Sequence, residues 1–163
     1  MTRYFLIEEL KKFCEKETKH LEYPTAVQKG DTKRVKRAPK VYKMRLPNAR
    51  DYKKYEPYII IQLADSEHIQ PEGSPPKHSA TIRFIFCVTH EDESEGAMLL
   101  LNLMDIIQME LLKSVRIGPH FCLDVHQPLS TLIYPDDTAP YYAGEMVGTF
   151  KLTAIQPEVN FEF

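Results

Sequence analysis

The stretch that decides the fold runs from Ser94 to Val115 and reads SEGAMLLLNLMDIIQMELLKSV. Twelve of the sixteen residues from Ala97 to Leu112 are apolar. Ser94 is a suitable N-cap with acidic neighbours that suit the helix dipole, and Gly118 and the proline after it are expected to end the helix. Because a helix with one buried face needs only about half of its residues to be apolar, the stretch predicts a helix with apolar side chains on two faces.

The two faces can be separated by rotating about 100° per residue. The face expected to lie against a sheet carries Leu100, Met104, Ile107, Leu111 and Val115. The opposite face carries a second set, which we call the outer stripe: Met98, Leu101, Met109 and Leu112. Two interpretations of the outer stripe remain open at this point. Either the N-terminal helix covers it, or it is a subunit interface, where Met and Leu suit adaptable packing.

The segments before this helix predict one further helix and a hairpin. Arg3–Leu21 has helical periodicity, with Leu6, Leu10 and Phe13 on one face. Pro57–Ala64 places Ile59, Ile61 and Leu63 on one face, and Ser79–His90 has a period of two, so both are predicted to be strands. We expect these two strands to pair as an antiparallel hairpin through a mobile connection at Asp65–His78, which contains one glycine and three prolines.

The segments after the central helix predict further strands. Phe121, Leu123 and Val125 share one face of a short strand, and Ala143–Ile155 is expected to be the last strand. Gly144 and Gly148 either weaken that strand or mark a bulge. A short strand at Val41–Leu46 is also predicted.

The resulting fold class is α+β, with a mostly antiparallel β-sheet of four to five strands packed by the long central helix and the N-terminal helix. Its 163 residues fit a single domain. We expect an N-terminal helix over residues 1–23, a basic arm or loop over 24–55, an α+β core over 56–156 and a tail over 157–163.

The basic arm carries most of the charge asymmetry. The chain has a net charge of −2, yet 11 of its 21 basic residues and only two acids lie between Lys29 and Lys54. The residues that are candidates for contact with DNA or another partner are Lys33, Arg34, Lys36, Arg37, Lys40 and Lys43. With tyrosines interleaved, the arm suits a nucleic acid, although a solvated loop or contact with an acidic protein remain open.

The sequence offers little that suggests catalysis. It lacks a glycine-rich phosphate loop, a serine nucleophile elbow and paired Cys-x-x-Cys spacing. His120, Cys122, Asp124 and His126 share one face of a strand, but they span about 20 Å and cannot all reach one metal ion. The acidic turn His90–Glu93 is expected to cap the central helix rather than to hold a cation. We therefore expect no enzyme activity, no catalytic residue, no metal and no cofactor.

The three cysteines and the hydropathy pattern bear on the compartment. Cys14, Cys87 and Cys122 are odd in number and irregularly spaced, which argues against disulfides and for a reducing compartment. Neither a secretory signal nor an apolar run of membrane-spanning length is visible. We expect a protein made in the cytoplasm that does not insert into membranes.

The region from Glu56 to Gln156 resembles the neck or tail terminator proteins of long-tailed bacteriophages, also called tail-completion or head–tail joining proteins. The resemblance lies in the order of elements and in five pieces of sequence, which are Pro57–Asp65, Ala80–Phe86, Thr89–Asp92, Pro140–Met146 and Leu152–Ile155. It covers about a hundred residues and rests on a pattern rather than on any single motif.

The resemblance implies a structural virion protein of the tail or neck, assembled in the host cytoplasm. Terminators form a homohexameric ring that caps the tail tube, stops its polymerisation and joins the tail to the head. Implied partners are further copies of the chain, the tail tube protein, and a head-completion or connector protein. Genomic DNA would pass through the ring without sequence specificity. The alternative is a nucleic-acid-binding module that uses segment 29–54.

Overall fold

The computed structural model describes residues 2–25, 35–48, 50, 55–135 and 139–158. Among them are two helices, α1 (Arg3–Thr18) and α2 (Glu93–Ser114). The strands are β1 (Tyr23–Pro24), β2 (Lys36–Arg37), β3 (Lys40–Lys43), β4 (Tyr58–Ile69), β5 (Lys77–Thr89), β6 (Arg116–Ile117), β7 (Phe121–Leu123), β8 (Ser130–Ile133) and β9 (Tyr141–Leu152).

The main sheet has seven strands in the order β3-β4-β5-β9-β7-β6, with β8 also pairing with β9. Only β3 and β4 run parallel, and every other pair is antiparallel. The α+β class and the mostly antiparallel sheet are therefore confirmed, but the expected four to five strands are too few. The sequence hides β6 and β8 because they are only two and four residues long, and all four residues of β8 are exposed.

The central hairpin is longer than its apolar residues indicate. β4 and β5 pair from Tyr58 opposite Cys87 to Ile69 opposite Lys77, with one irregularity at Leu63/Asp65. Half of the predicted connection at Asp65–His78 is strand, because its polar residues continue the ladder beyond the apolar part. The hairpin itself is confirmed.

Helix α2 begins two residues earlier than predicted. The N-cap is Asp92, whose carboxylate accepts a hydrogen bond from the Glu95 backbone N–H at 2.9 Å, so the prediction of Ser94 as N-cap is wrong. The helix ends at Ser114, and its C-cap Val115 has a φ of 56°. The chain therefore turns into β6 before it reaches Gly118.

The main core lies between the sheet and both helices. Its largest fully buried side chains include Phe84, Phe86 and Phe150 from the sheet and Leu6 and Leu10 from α1. The sheet curls, so that α1 contacts β3 and β4 as well as β6. A smaller cluster on the other face of the sheet contains Leu46, Tyr58, Ile60 and Cys87.

Strand β9 runs straight through both of its glycines. Its pairing with β5 is continuous from Tyr141 to Leu152, so the alternative of a bulge is wrong. A Cβ at Gly144 would lie 2.9 Å from the sulfur of Met104, and one at Gly148 would lie 2.7 Å from a Leu129 methyl. These glycines therefore let neighbouring chain segments approach β9 closely. Val125, expected in the preceding strand, lies beyond β7 and is 61% exposed.

Candidate functional site

The inner face of α2 packs against β5 and β9 as the helical wheel predicts. Leu100, Met104, Ile107 and Leu111 are all buried. At the N-terminal end the helix lies so close to the sheet that a Cβ at Gly96 would be 2.2 Å from the ring of Tyr142. α2 is thereby held against the sheet along its length, which leaves its opposite side facing outward.

The outer stripe is exposed. Met98 is 60% exposed, Leu101 37%, and Met109 and Leu112 are 52% each. The four side chains span about four turns of the helix, mixed with polar residues such as Asn102 and Asp105. Large apolar side chains grouped on one helix face, rather than scattered, are characteristic of an interaction surface.

Helix α1 does not cover the outer stripe. Its apolar face, made of Leu6, Ile7, Leu10 and Cys14, is buried in the main core. α1 contacts α2 as well as β3, β4 and β6. Just after α1, the Tyr23 hydroxyl accepts a hydrogen bond from the Asn102 side chain at 2.8 Å. Within the described residues, α1 thus leaves the outer stripe exposed, and the interpretation in which the N-terminal helix covers it is wrong.

Arg37 in the basic arm is turned toward the protein. Its Nη1 donates to the carbonyl oxygens of Ala38 (3.1 Å) and Pro57 (3.0 Å), and its Nη2 to those of Tyr55 (2.6 Å) and Glu56 (3.1 Å). Partial burial lowers the pKa of this guanidinium. These hydrogen bonds hold Arg37 against the start of β4. Because they already use both Nη atoms, few donors remain to bind a phosphate.

Lys43 is also engaged within the chain. It forms an ion pair with Glu8 of α1, and this hydrogen bond lowers the pKa of Glu8 and raises the pKa of Lys43. Lys36 and Lys40 point outward and are exposed. Lys33 and Arg34 lie outside the described residues. Of the four candidate contacts that the structure describes, two remain available to a partner.

The prediction that His120, Cys122, Asp124 and His126 share one face of a strand is wrong, because β7 covers only Phe121–Leu123 and contains only Cys122 of the four. Asp124 accepts a hydrogen bond from the His126 backbone N–H at 3.1 Å and lies 3.7 Å from the Lys151 amine. The His120 ring contacts Phe121 edge to face. Within the described ranges, no group of three or more His, Cys, Asp or Glu side chains is placed to hold a metal ion.

The acidic turn before α2 caps the helix. Besides the Asp92 cap, Nδ1 of His90 accepts a hydrogen bond from the Asp92 backbone N–H at 3.0 Å. The turn thus satisfies helix-end groups, as its sequence predicts.

Sequence reasoning missed two features of the surface. One is the inward role of Arg37, whose acceptors are backbone carbonyls that carry no sequence signal. The other is β8, an edge strand where Leu132 and Ile133 are 53% and 46% exposed. An alternation at Ser130–Ile133 is too short to detect by period alone.

Comparison of the chain with known protein families finds no matching family model, and comparison with curated proteins finds no match. In the part of the chain that the structure describes, neither helix is long and apolar enough to cross a membrane.

Proposed function

We propose that this chain is a structural virion protein, a tail terminator that forms a ring on the end of a phage tail tube and joins the tail to the head connector. The observation that carries the proposal is the exposed outer stripe of α2, which a monomer does not use. The sequence resemblance of residues 56–156 is the second support. Cyclic rings are built from heterologous contacts, in which one patch of each subunit meets a different patch of the next.

The free energy that the outer stripe contributes to a contact can be estimated from the exposed fraction of its side chains. Burying a whole Leu or Met side chain contributes about 1.5–3 kcal/mol, and the four side chains are roughly half exposed. The stripe therefore contributes about 4 kcal/mol, which corresponds to only a millimolar dissociation constant. Contacts of this strength favour a ring that forms when closure or the tube end holds several subunits together.

In this proposal the basic arm has a secondary role. With Arg37 and Lys43 engaged internally, the arm offers Lys36 and Lys40 to a passing DNA. A weakly basic lining suits a conduit, because tight phosphate binding would slow DNA passage. Among the described candidates, the alternative of a nucleic-acid-binding module would use the same two lysines, Lys36 and Lys40.

The experiment is a measurement of mass by size-exclusion chromatography with light scattering, with and without purified tail tube protein. The chain has a mass of 19.0 kDa, so six copies give about 114 kDa. We expect this ring at high concentration or on addition of tube protein. A monomer that never associates with tube protein, and that binds duplex DNA tightly in a salt-dependent manner, would instead favour the nucleic-acid module.

A further inference from the structure

The outer stripe of α2 carries a charge at its centre. Its four apolar side chains cover an arc of about 80° on the helix, counted at about 100° per residue. Asp105 lies in the middle of that arc, between Leu101 and Met109, and its side chain is exposed. Removing a carboxylate from water is costly unless a cation lies beside it. A surface that covers the stripe therefore has to combine apolar side chains with a positive charge.

An apolar groove with a volume of about 350 Å³ lies at the N-terminal end of α1, and we call it the α1 groove. Its apolar walls are Tyr4, Ile7, Met44 and Leu63. Since a cavity of about 150 Å³ holds a benzene-sized group, the groove has room for large apolar side chains such as Met and Leu. It is formed by α1, β4 and the end of β3, whereas the outer stripe belongs to α2. One copy of the chain therefore carries two different apolar patches.

Met44 holds one wall of the α1 groove in place. Its φ of 66° is uncommon for a residue other than glycine. Its backbone N–H donates to the Ile61 carbonyl at 2.7 Å, its carbonyl accepts from the Gln62 side chain at 2.8 Å, and its sulfur contacts the Leu63 N–H at 3.4 Å. The side chain is still 44% exposed. The groove is thus formed before a partner binds, which lowers the entropy cost of binding.

An exposed aromatic pair lies at the same end of α1. Tyr4 is 68% exposed and Phe5 is 47% exposed, and their rings meet edge to face with centroids 5.5 Å apart. The side chains that this turn of α1 buries in the core are Leu6 and Ile7. Aromatic side chains are enriched at the centres of protein interfaces. The pair therefore extends the apolar surface that the α1 groove offers to another molecule.

Arg3 supplies the positive charge at the border of the α1 groove. Lys43 and Glu8 also line the groove, but they form an ion pair with each other, so their charges offset. Arg3 donates from Nη1 to the hydroxyl of Ser66, a neutral acceptor, at 2.9 Å. The remaining N–H groups of its guanidinium suit a carboxylate, which arginine binds through two parallel hydrogen bonds. The groove therefore complements the outer stripe in both apolar surface and charge.

We propose that the outer stripe of one copy of the chain packs into the α1 groove of a second copy, with Asp105 of the first paired with Arg3 of the second. This is a helix-in-groove contact. Because the two patches differ, each copy gives its stripe to one neighbour and its groove to another, as a closed ring requires. The inference rests on the proposed ring and names the surface that the stripe meets in it.

Sedimentation equilibrium of the full chain tests the proposal by exchanging the two charges, over a concentration series up to about 1 mM, the range expected for the stripe alone. Arg3→Glu and Asp105→Arg each bring like charges together and should raise the apparent dissociation constant at least about tenfold. The double variant Arg3→Glu/Asp105→Arg restores opposite charges and should recover most of the lost association.

Lys16→Glu is the matched control for Arg3→Glu. It makes the same change in net charge, on an exposed side chain thirteen residues further along α1. Its association should equal that of the wild-type chain. An unchanged circular dichroism spectrum shows that each variant is folded.

Two results would overturn the proposal while leaving the proposed ring intact. One is an Arg3→Glu variant that associates as strongly as Lys16→Glu, because the stripe would then bind another surface, such as the stripe of a second copy. The other is a double variant that associates no better than either single variant, because the two charges would then not meet. A wild-type chain that stays monomeric over the whole series and beside tail tube protein contradicts both the contact and the ring. Oligomers that follow the charge exchange without closing into a ring support the contact and contradict the ring.

Discussion

Arg37 is the residue whose role the structure changes most, and it allows a prediction with a matched control. Arg37→Ala removes one positive charge and four hydrogen bonds to backbone carbonyls, whereas Lys36→Ala removes one positive charge from an exposed side chain. The two variants are therefore equal in charge and differ in their contacts.

The stability loss expected for Arg37→Ala follows from the hydrogen bonds that this variant removes. A hydrogen bond from a charged donor contributes about 1.5–3 kcal/mol net. Because the guanidinium is only partly buried, water would replace some of the four. Counting only the bonds to Tyr55 and Pro57, at 2.6 and 3.0 Å, each at the lower figure, gives about 3 kcal/mol for Arg37→Ala. Lys36→Ala should change stability by less than about 0.5 kcal/mol.

Arg37→Lys should recover part of the loss, because one amine can reach some of these carbonyls but cannot span them as the planar guanidinium does. The assay is urea unfolding followed by circular dichroism, at one protein concentration, since the chain has no tryptophan. Equal unfolding midpoints for Arg37→Ala and Lys36→Ala would refute the reasoning. The arginine would then belong with the solvated charges of the arm.

Three further outcomes follow from individual contacts. Gly96→Ala places a methyl group against the ring of Tyr142 and should lower the free energy of unfolding by about 1–3 kcal/mol; an unchanged melting temperature would contradict the close packing of α2. Asp92→Ala removes the N-cap and should cost about 1 kcal/mol by thermal melting, and no loss would point to a different cap. Burial raises the pKa of the Cys14 thiol, so a thiol titration of the native protein at mildly alkaline pH should detect only the half-buried Cys122, with the remaining thiols reacting after denaturation. Rapid reaction of Cys14 would show that α1 opens readily.

The long elements were predictable from the sequence because their apolar side chains recur with a regular period over many residues. The inner face of α2 and the alternation of β5 each arise from burial on one side, which leaves a periodic pattern. The extension of β4 to Ile69 lacks such a pattern, because polar side chains there continue the ladder through backbone hydrogen bonds.

The position of the outer stripe on α2 could be predicted from the sequence, but whether α1 covers it could not. The helical wheel separates the outer stripe from the inner face, yet it cannot decide whether α1 lies over the stripe or beside it. That choice depends on how the sheet curls and on where α1 buries Leu6 and Leu10. Likewise, the sequence identifies Arg37 as basic, while its inward orientation depends on carbonyl groups from residues 55–57.

The most direct test of the central claim compares two surfaces of similar chemistry. Met109→Asp/Leu112→Asp alters the outer stripe, and Leu132→Asp/Ile133→Asp alters equally exposed apolar residues on β8. Native mass spectrometry in the presence of tail tube protein should show a ring for the wild-type chain and the β8 variant. The stripe variant should remain a monomer with an unchanged circular dichroism spectrum. A stripe variant that assembles as well as the β8 variant would contradict the claim that the outer face of α2 joins subunits.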